Sequence, residues 1–123
     1  MSYLTDRKRA TGLGSAKTGT EHFWLMKVSS VALLLLIPLF VFTFGPMLGE
    51  THENVLAYFA RPFPAIVAAL TIGVTFMHFK NGAQTMIEDY VHGTSQKMAI
   101  ILVICLSYAA AATGLFAIAR IAL

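Results

Sequence analysis

Three apolar stretches without a charged side chain restrict the possible fold more than any other feature of this sequence. They cover residues 28–49, 62–79 and 98–119. A helix needs about 20 consecutive apolar residues to cross the hydrocarbon core of a bilayer, and each stretch has that length or nearly so. The sequence therefore predicts an all-α membrane protein with three transmembrane helices, placed at about 24–45, 63–86 and 98–121.

Composition agrees with a single small membrane unit. Of the 123 residues, 57% are hydrophobic and 12% are charged. Three helices have too little mutual surface to enclose a large cavity, so an anchor within a larger complex is favoured over a channel or an independent transporter. Residues 1–20 are polar and glycine-punctuated and are predicted to form a flexible tail, while residues 21–123 form the anchor domain.

The basic residues predict the orientation, because positive charge concentrates on the cytoplasmic side of membrane proteins. A cytoplasmic N-terminus and a periplasmic C-terminus leave only Arg61 and Arg120 outside. The other basic residues would all lie inside: Arg7, Lys8, Arg9, Lys17, Lys27, Lys80 and Lys97. The cluster at residues 7–9 is interpreted as a topology signal, with no role in binding nucleic acid. The first span is longer than a signal-peptide core and lacks an obvious cleavage site, and no transit-peptide bias is present, which favours a bacterial inner membrane.

His78 is the principal candidate for a functional residue, because it is the only histidine in these uncharged stretches. A histidine at membrane depth is costly and is by default a functional candidate. On a continuous helix, eleven residues make three turns plus about 20°, so His78 and Asp89 would share one face. The intervening residues on that face are small or hydroxylated: Thr71, Thr75, Gly82 and Thr85. Two interpretations stand: His78 binds a metal or haem, or it hydrogen-bonds a serine or threonine on another helix.

A haem would require a second chain. Electron-transfer haem iron usually has two strong axial ligands, and this sequence places no other histidine at membrane depth. The lone Cys105 cannot form an intrachain disulfide or a metal site with another cysteine, and it is interpreted as a packing residue. Gly82 would allow a flat macrocycle or a neighbouring helix to approach. Lys27 would contact lipid headgroups or an anionic group such as a haem propionate.

The pattern of His78, Gly82 and Asp89-Tyr90 follows a Glu21-His22-Phe23-Trp24 entry to the first of three spans. It resembles the smaller cytochrome b anchor subunits of succinate dehydrogenase, the D chains of respiratory complex II, particularly in their alphaproteobacterial form. The resemblance covers essentially the whole chain, from the Gly12-Leu13-Gly14-Ser15-Ala16 leader onward.

The resemblance implies a function that the residues alone do not establish. His78 would supply one axial ligand to haem b, and a larger cytochrome b anchor subunit would supply the other and pack with this chain into a helical bundle. Tyr90 and Asp89 would form part of the ubiquinone site, and Lys27 would approach the haem propionates. Lys80 is a second candidate for contact with a haem propionate or a lipid headgroup. It stands where many family members have arginine, which keeps the charge but loses bidentate hydrogen bonding.

The resemblance also implies the partners and the reaction. Electrons from succinate would pass through a flavoprotein subunit and an iron–sulfur subunit to ubiquinone, so this chain would not itself oxidise succinate. Two alternatives are an anchor of fumarate reductase, which shares the helices, and a noncatalytic three-span scaffold in which His78 is structural.

Overall fold

The computed structural model describes residues 3–14 and 19–123, and these residues are almost entirely helical. The described residues form five α-helices, in chain order: α1 (Asp6–Thr11), α2 (Gly19–Phe44), α3 (His52–Phe59), α4 (Pro62–Tyr90) and α5 (Thr94–Ala122). A short 3-10 helix, Gly45–Met47, continues α2. No β-strand occurs in the described part of the chain.

Three of the helical segments are long and apolar enough to cross a membrane, which confirms the predicted fold class. They are Gly19–Met47, Pro62–Tyr90 and Thr94–Ala122, each of 29 residues. At 1.5 Å per residue, 29 helical residues extend about 43 Å, which exceeds the roughly 30 Å hydrocarbon core. Each helix therefore has turns that reach into or beyond the headgroups. The cytoplasmic placement of the N-terminus stays a prediction.

The segment predicted to be a flexible tail contains α1. The side chain of Thr5 caps this helix by accepting a hydrogen bond from Lys8 N at 3.3 Å. Residues 1–2 and 15–18, which include part of the leader used in the resemblance, lie outside the described residues. The flexibility of the tail stays a prediction.

Local sequence explains where the other helices begin and end. Proline is tolerated in the first turn of a helix, where the backbone N–H has no helical partner, and α4 begins at Pro62. The Thr51 side chain accepts a hydrogen bond from Asn54 N and caps α3. Gly93 has a φ of 71°, which is favourable only for glycine, and it reverses the chain between α4 and α5.

The central element is α4, which packs against both α2 and α5, whereas α2 and α5 barely contact each other. At Gly114 of α5, an added Cβ would lie 3.0 Å from Cγ2 of Ile72 on α4. The absence of a side chain at this position permits close contact between the two helices. The three long helices thus form an open layer whose two broad faces carry many exposed apolar side chains.

The antiparallel arrangement gives this layer two distinct ends. The start of α2, the end of α4 and the start of α5 lie at one end, here called the Tyr90 end. The end of α2, the start of α4 and the end of α5 lie at the other, here called the Arg61 end. The short helix α3 packs against α4 and α5 at the Arg61 end.

Candidate functional site

His78 lies where α4 packs against α2. Its Nδ1 is 2.8 Å from Oγ of Ser29, which is 1% exposed, while His78 itself is half-buried. One turn further along α4, a Cβ added to Gly82 would lie 3.7 Å from Cε of Met26, an ordinary van der Waals distance. Gly82 therefore faces a neighbouring helix, as predicted, and it has room for a methyl group within this chain.

The second ring nitrogen of His78 has no hydrogen-bond partner among the described residues. Nε2 makes no hydrogen bond to a described residue, and it is not among the enclosed side-chain atoms that lack a partner. The predicted hydrogen bond from His78 to a serine is therefore present, but it uses only Nδ1. Histidines that bind metals commonly donate their other ring N–H to an oxygen, so this hydrogen bond is compatible with a ligand role.

The side chains of this chain that can bind metals do not form a complete metal site, but they can contribute to a metal site shared with another chain. Over residues 3–14 and 19–123, no three side chains of histidine, cysteine, aspartate or glutamate are grouped closely enough to hold an ion. One imidazole can supply one axial position of a haem iron. His78 fits such a group only if another chain supplies the opposite ligand.

Small and hydroxylated residues share one face of α4 with His78. Because α4 is unbroken to Tyr90, the helical premise that placed His78 and Asp89 on one face is confirmed. Thr71 and Thr85 direct their hydroxyls back to backbone carbonyls four residues earlier, at 2.7 and 3.1 Å. Thr75 differs, because its Oγ1 is enclosed and has no hydrogen-bond partner within the described residues.

Asp89 and Tyr90 are the last two residues of α4 and are exposed at the Tyr90 end. Tyr90 is 82% exposed, and its hydroxyl forms no hydrogen bond to any residue that the structure describes. The neighbouring Glu88 is engaged, since its carboxylate accepts from Gln84 at 2.8 Å and its carbonyl accepts from Gln96 at 3.2 Å. Asp89 and Tyr90 are therefore available to a ligand or a partner.

The two candidate lysines lie away from the His78–Ser29 contact. The ammonium of Lys27 lies 5.5 Å from the ring centre of Phe23, and that of Lys80 lies 5.8 Å from the ring centre of Tyr108. Lys80 is two residues from His78, about 200° around α4, so it faces α5. The structure brings neither lysine to His78, and their contacts with propionates or headgroups stay predictions.

Sequence reasoning did not single out Ser29, which contacts α4 through His78, or His22, whose side chain is partly enclosed. Ser29 was not distinguished from its neighbour Ser30. His22 was considered only as part of the Glu21-His22-Phe23-Trp24 motif, yet its Nε2 is enclosed and has no hydrogen-bond partner among the described residues. His22 and Ser29 are seven residues apart, which puts them on one face of α2. This spacing is the sequence signal that could have indicated a shared polar face of α2.

Comparison with protein families identifies the chain over nearly its whole length. Residues 1–116 match the family described as "Succinate dehydrogenase/Fumarate reductase transmembrane subunit". No solved structure matches the chain significantly.

Curated relatives agree with the family match. The chain is 46% identical over 123 residues to the succinate dehydrogenase hydrophobic membrane anchor subunit of Paracoccus denitrificans, covering 100% of this chain and 95% of the relative. The protein of the same name from Rickettsia conorii is 26% identical over 97 residues, 78% of this chain and 77% of the relative. The succinate dehydrogenase membrane anchor subunit of Reclinomonas americana is 28% identical over 91 residues, which are 72% of this chain and 76% of the relative. With its three membrane-length helices, this multi-pass membrane protein belongs to the transmembrane subunit family of succinate dehydrogenase and fumarate reductase.

Proposed function

We propose that this chain is the smaller membrane-anchor subunit of a succinate:ubiquinone oxidoreductase in a bacterial inner membrane. It holds the flavoprotein and iron–sulfur subunits at the membrane and shares haem b with a larger cytochrome b anchor subunit. It also contributes Asp89 and Tyr90 to the site where ubiquinone is reduced. The reaction belongs to aerobic respiration and the tricarboxylic acid cycle, and this chain alone is not catalytic.

The observation that carries the haem assignment is the free Nε2 of His78 on a half-buried ring whose Nδ1 is already hydrogen-bonded. An imidazole in this state has one nitrogen ready for iron and the other used for orientation. When bound, haem b would accept and release single electrons. His78 and a histidine of the larger anchor subunit would together hold the iron.

The quinone assignment depends on the chemistry of the Tyr90 end. Asp89 lies about 16 Å along the helix from His78 at 1.5 Å per residue, so it cannot contact the same iron. A phenol can donate a hydrogen bond to a quinone carbonyl, and that bond strengthens as negative charge develops during reduction. Asp89 would orient the site or pass protons to it.

One cleft at the Arg61 end is unsuited to quinone reduction. It has a volume of about 250 Å³ and opens among side chains that are all apolar, including those of Phe40, Phe44 and Phe59. It presents no group that could donate a proton or a hydrogen bond to a quinone carbonyl. Glu50, Tyr58 and Arg61 line a second cleft at the same end, so polar groups alone do not distinguish the two ends. The choice of the Tyr90 end rests on the match of Asp89 and Tyr90 to the family pattern.

Two other functions are distinguishable from this one. A fumarate reductase anchor would share the helices and the sites but run the electrons in the opposite direction. The names of the curated relatives favour succinate oxidation. A noncatalytic scaffold would use His78 only for its hydrogen bond to Ser29.

An optical spectrum distinguishes the scaffold from the cytochrome. The complex is purified with its partner subunits, and reduced-minus-oxidised spectra are recorded for the wild type, His78→Ala and His52→Ala. His52 is an exposed histidine on α3 at the Arg61 end, so its replacement is the matched control. We expect a low-spin haem b signal that is lost or converted only in His78→Ala. An unchanged signal in His78→Ala would refute the ligand assignment.

A further inference from the structure

We infer that Ser29 is a positioning residue: it holds the imidazole of His78 in the tautomer that has its hydrogen on Nδ1, which leaves the lone pair of Nε2 free to bind iron. This inference rests on the proposed function. It adds a residue from α2 to a site that otherwise involves only α4.

The argument begins with the three short contacts of one hydroxyl group. Ser29 Oγ lies 2.7 Å from the carbonyl oxygen of Leu25, 3.1 Å from that of Met26 and 2.8 Å from Nδ1 of His78. A serine hydroxyl has one hydrogen to donate and two lone pairs with which to accept. Carbonyl oxygens can only accept, so neither backbone contact is a hydrogen bond unless the serine donates to it.

The position of the single hydrogen decides the tautomer of His78. If the hydroxyl donates to the Leu25 carbonyl, Nδ1 must carry a hydrogen and donate to the serine oxygen. The two shortest contacts, with the Leu25 carbonyl and with Nδ1, are then both hydrogen bonds. If the hydroxyl instead donates to Nδ1, the serine oxygen lies 2.7 Å from a carbonyl oxygen with no hydrogen between them. Two oxygen lone pairs at that distance repel each other, so the first arrangement is favoured.

Burial strengthens this preference. Ser29 is 1% exposed, and water therefore has little access to compensate an unfavourable contact. Electrostatic interactions are also stronger in a low-dielectric interior than in water. The backbone of α2 thus orients the hydroxyl, and the hydroxyl in turn orients the imidazole of α4.

The chemical consequence falls on Nε2. When Nδ1 carries the hydrogen, Nε2 has a lone pair and can bind a metal. Donation from Nδ1–H to an oxygen also raises the basicity of the imidazole and fixes the plane of its ring. A more basic ligand stabilises ferric over ferrous iron, so this contact should lower the midpoint potential of the haem.

The test compares two adjacent serines in the complete complex. Ser29→Ala removes the oxygen that faces His78. Ser30→Ala is the matched control, because Ser30 is exposed and its hydroxyl also donates back to the Met26 carbonyl, at 2.7 Å. The readouts are haem b content per flavin, the midpoint potential from a redox titration and the low-spin EPR signal.

We expect Ser29→Ala to weaken haem binding about 10- to 100-fold, which is the usual cost of removing a partner of a metal-bound histidine. Its remaining haem should titrate at a higher potential and show a shifted EPR signal. Ser30→Ala should match the wild type. Ser29→Thr, which retains the hydroxyl, should restore the potential toward the wild-type value.

Each contrary result has a distinct meaning. An unchanged potential and haem content in Ser29→Ala, or an equal change in Ser30→Ala, would overturn the role of Ser29 while leaving haem ligation by His78 intact. If Ser29→Ala fails to assemble, Ser29→Cys preserves the bulk with a poor acceptor, and an unchanged potential there would overturn the inference. A wild-type complex without a haem b signal would contradict the proposed function itself.

Discussion

Replacement of Tyr90 by phenylalanine should slow quinone reduction while leaving succinate oxidation intact. The Tyr90 side chain is 82% exposed, and its hydroxyl has no hydrogen-bond partner within the described residues. Tyr90→Phe keeps the ring and removes only that hydroxyl, so it should cost the isolated chain little stability. Any functional loss should therefore report on the ligand and not on the fold.

The size of the loss follows from the hydrogen bond that the hydroxyl would make. A hydrogen bond to a charged group contributes about 1.5–3 kcal/mol. Charge develops on the quinone oxygens during reduction, so the bond is strongest at the transition state. Since about 1.4 kcal/mol corresponds to a tenfold change in rate, Tyr90→Phe should lower kcat/KM for quinone by about 10- to 100-fold.

Two assays on the same purified complex separate the electron-transfer steps. Succinate–quinone reductase activity uses the whole path, whereas reduction of an artificial dye by succinate samples the soluble subunits alone. Tyr108→Phe is the matched control, because Tyr108 is a tyrosine of α5 that is also exposed, at 62%. Tyr90→Phe should affect only the quinone assay, and Tyr108→Phe should affect neither. Intact quinone reduction in Tyr90→Phe, or an equal loss in both assays, would refute the assignment.

The remaining predictions concern packing, assembly and orientation. Gly114→Ala should lower the thermal stability of the complex, because its new methyl would meet the stiff β-branched side chain of Ile72 at 3.0 Å; Gly73→Ala, which meets nothing within 4 Å, should raise stability by about 0.5–1 kcal/mol. The opposite order of melting temperatures would contradict this packing argument. The chain expressed without the larger anchor subunit should be unstable, and a stable haem-containing homomer would show otherwise. Reporter fusions should locate the N-terminus in the cytoplasm and the C-terminus in the periplasm, and the reverse pattern would refute the charge-based orientation.

The sequence predicts the helices well because their causes are local. Lack of charge over membrane-length stretches is enough to locate the spans, and Pro62 near the start of α4 is enough to locate its first turn. The continuity of α4 from His78 to Asp89 was only partly accessible, because no proline interrupts that segment but it contains Asn81-Gly82, a dipeptide typical of turns. These features depend on neighbours along one segment.

The sequence predicted the type of residue that His78 contacts but not which residue it is. A buried imidazole needs a polar partner, so a serine or threonine on another helix was a reasonable expectation. The choice between Ser29 and Ser30 depends on how α2 is rotated and how far it is shifted along α4. Both quantities arise from packing between segments 49 residues apart. Periodicity within one helix contains no information about that register.

The polar atoms left unpaired by this chain support the expectation that it requires partners. Within the described residues, His22 Nε2, Thr75 Oγ1 and Ser107 Oγ are enclosed and have no hydrogen-bond partner. Each unsatisfied buried group costs about 1–3 kcal/mol, and hydrocarbon offers no water to compensate. Three such groups cost an amount comparable with the net stability of a typical domain, which is about 5–15 kcal/mol. These atoms are enclosed by the chain itself, so a partner cannot reach them unless the side chains around them rearrange. Their cost therefore lowers the stability of the isolated chain, and added packing against a larger anchor subunit would offset it.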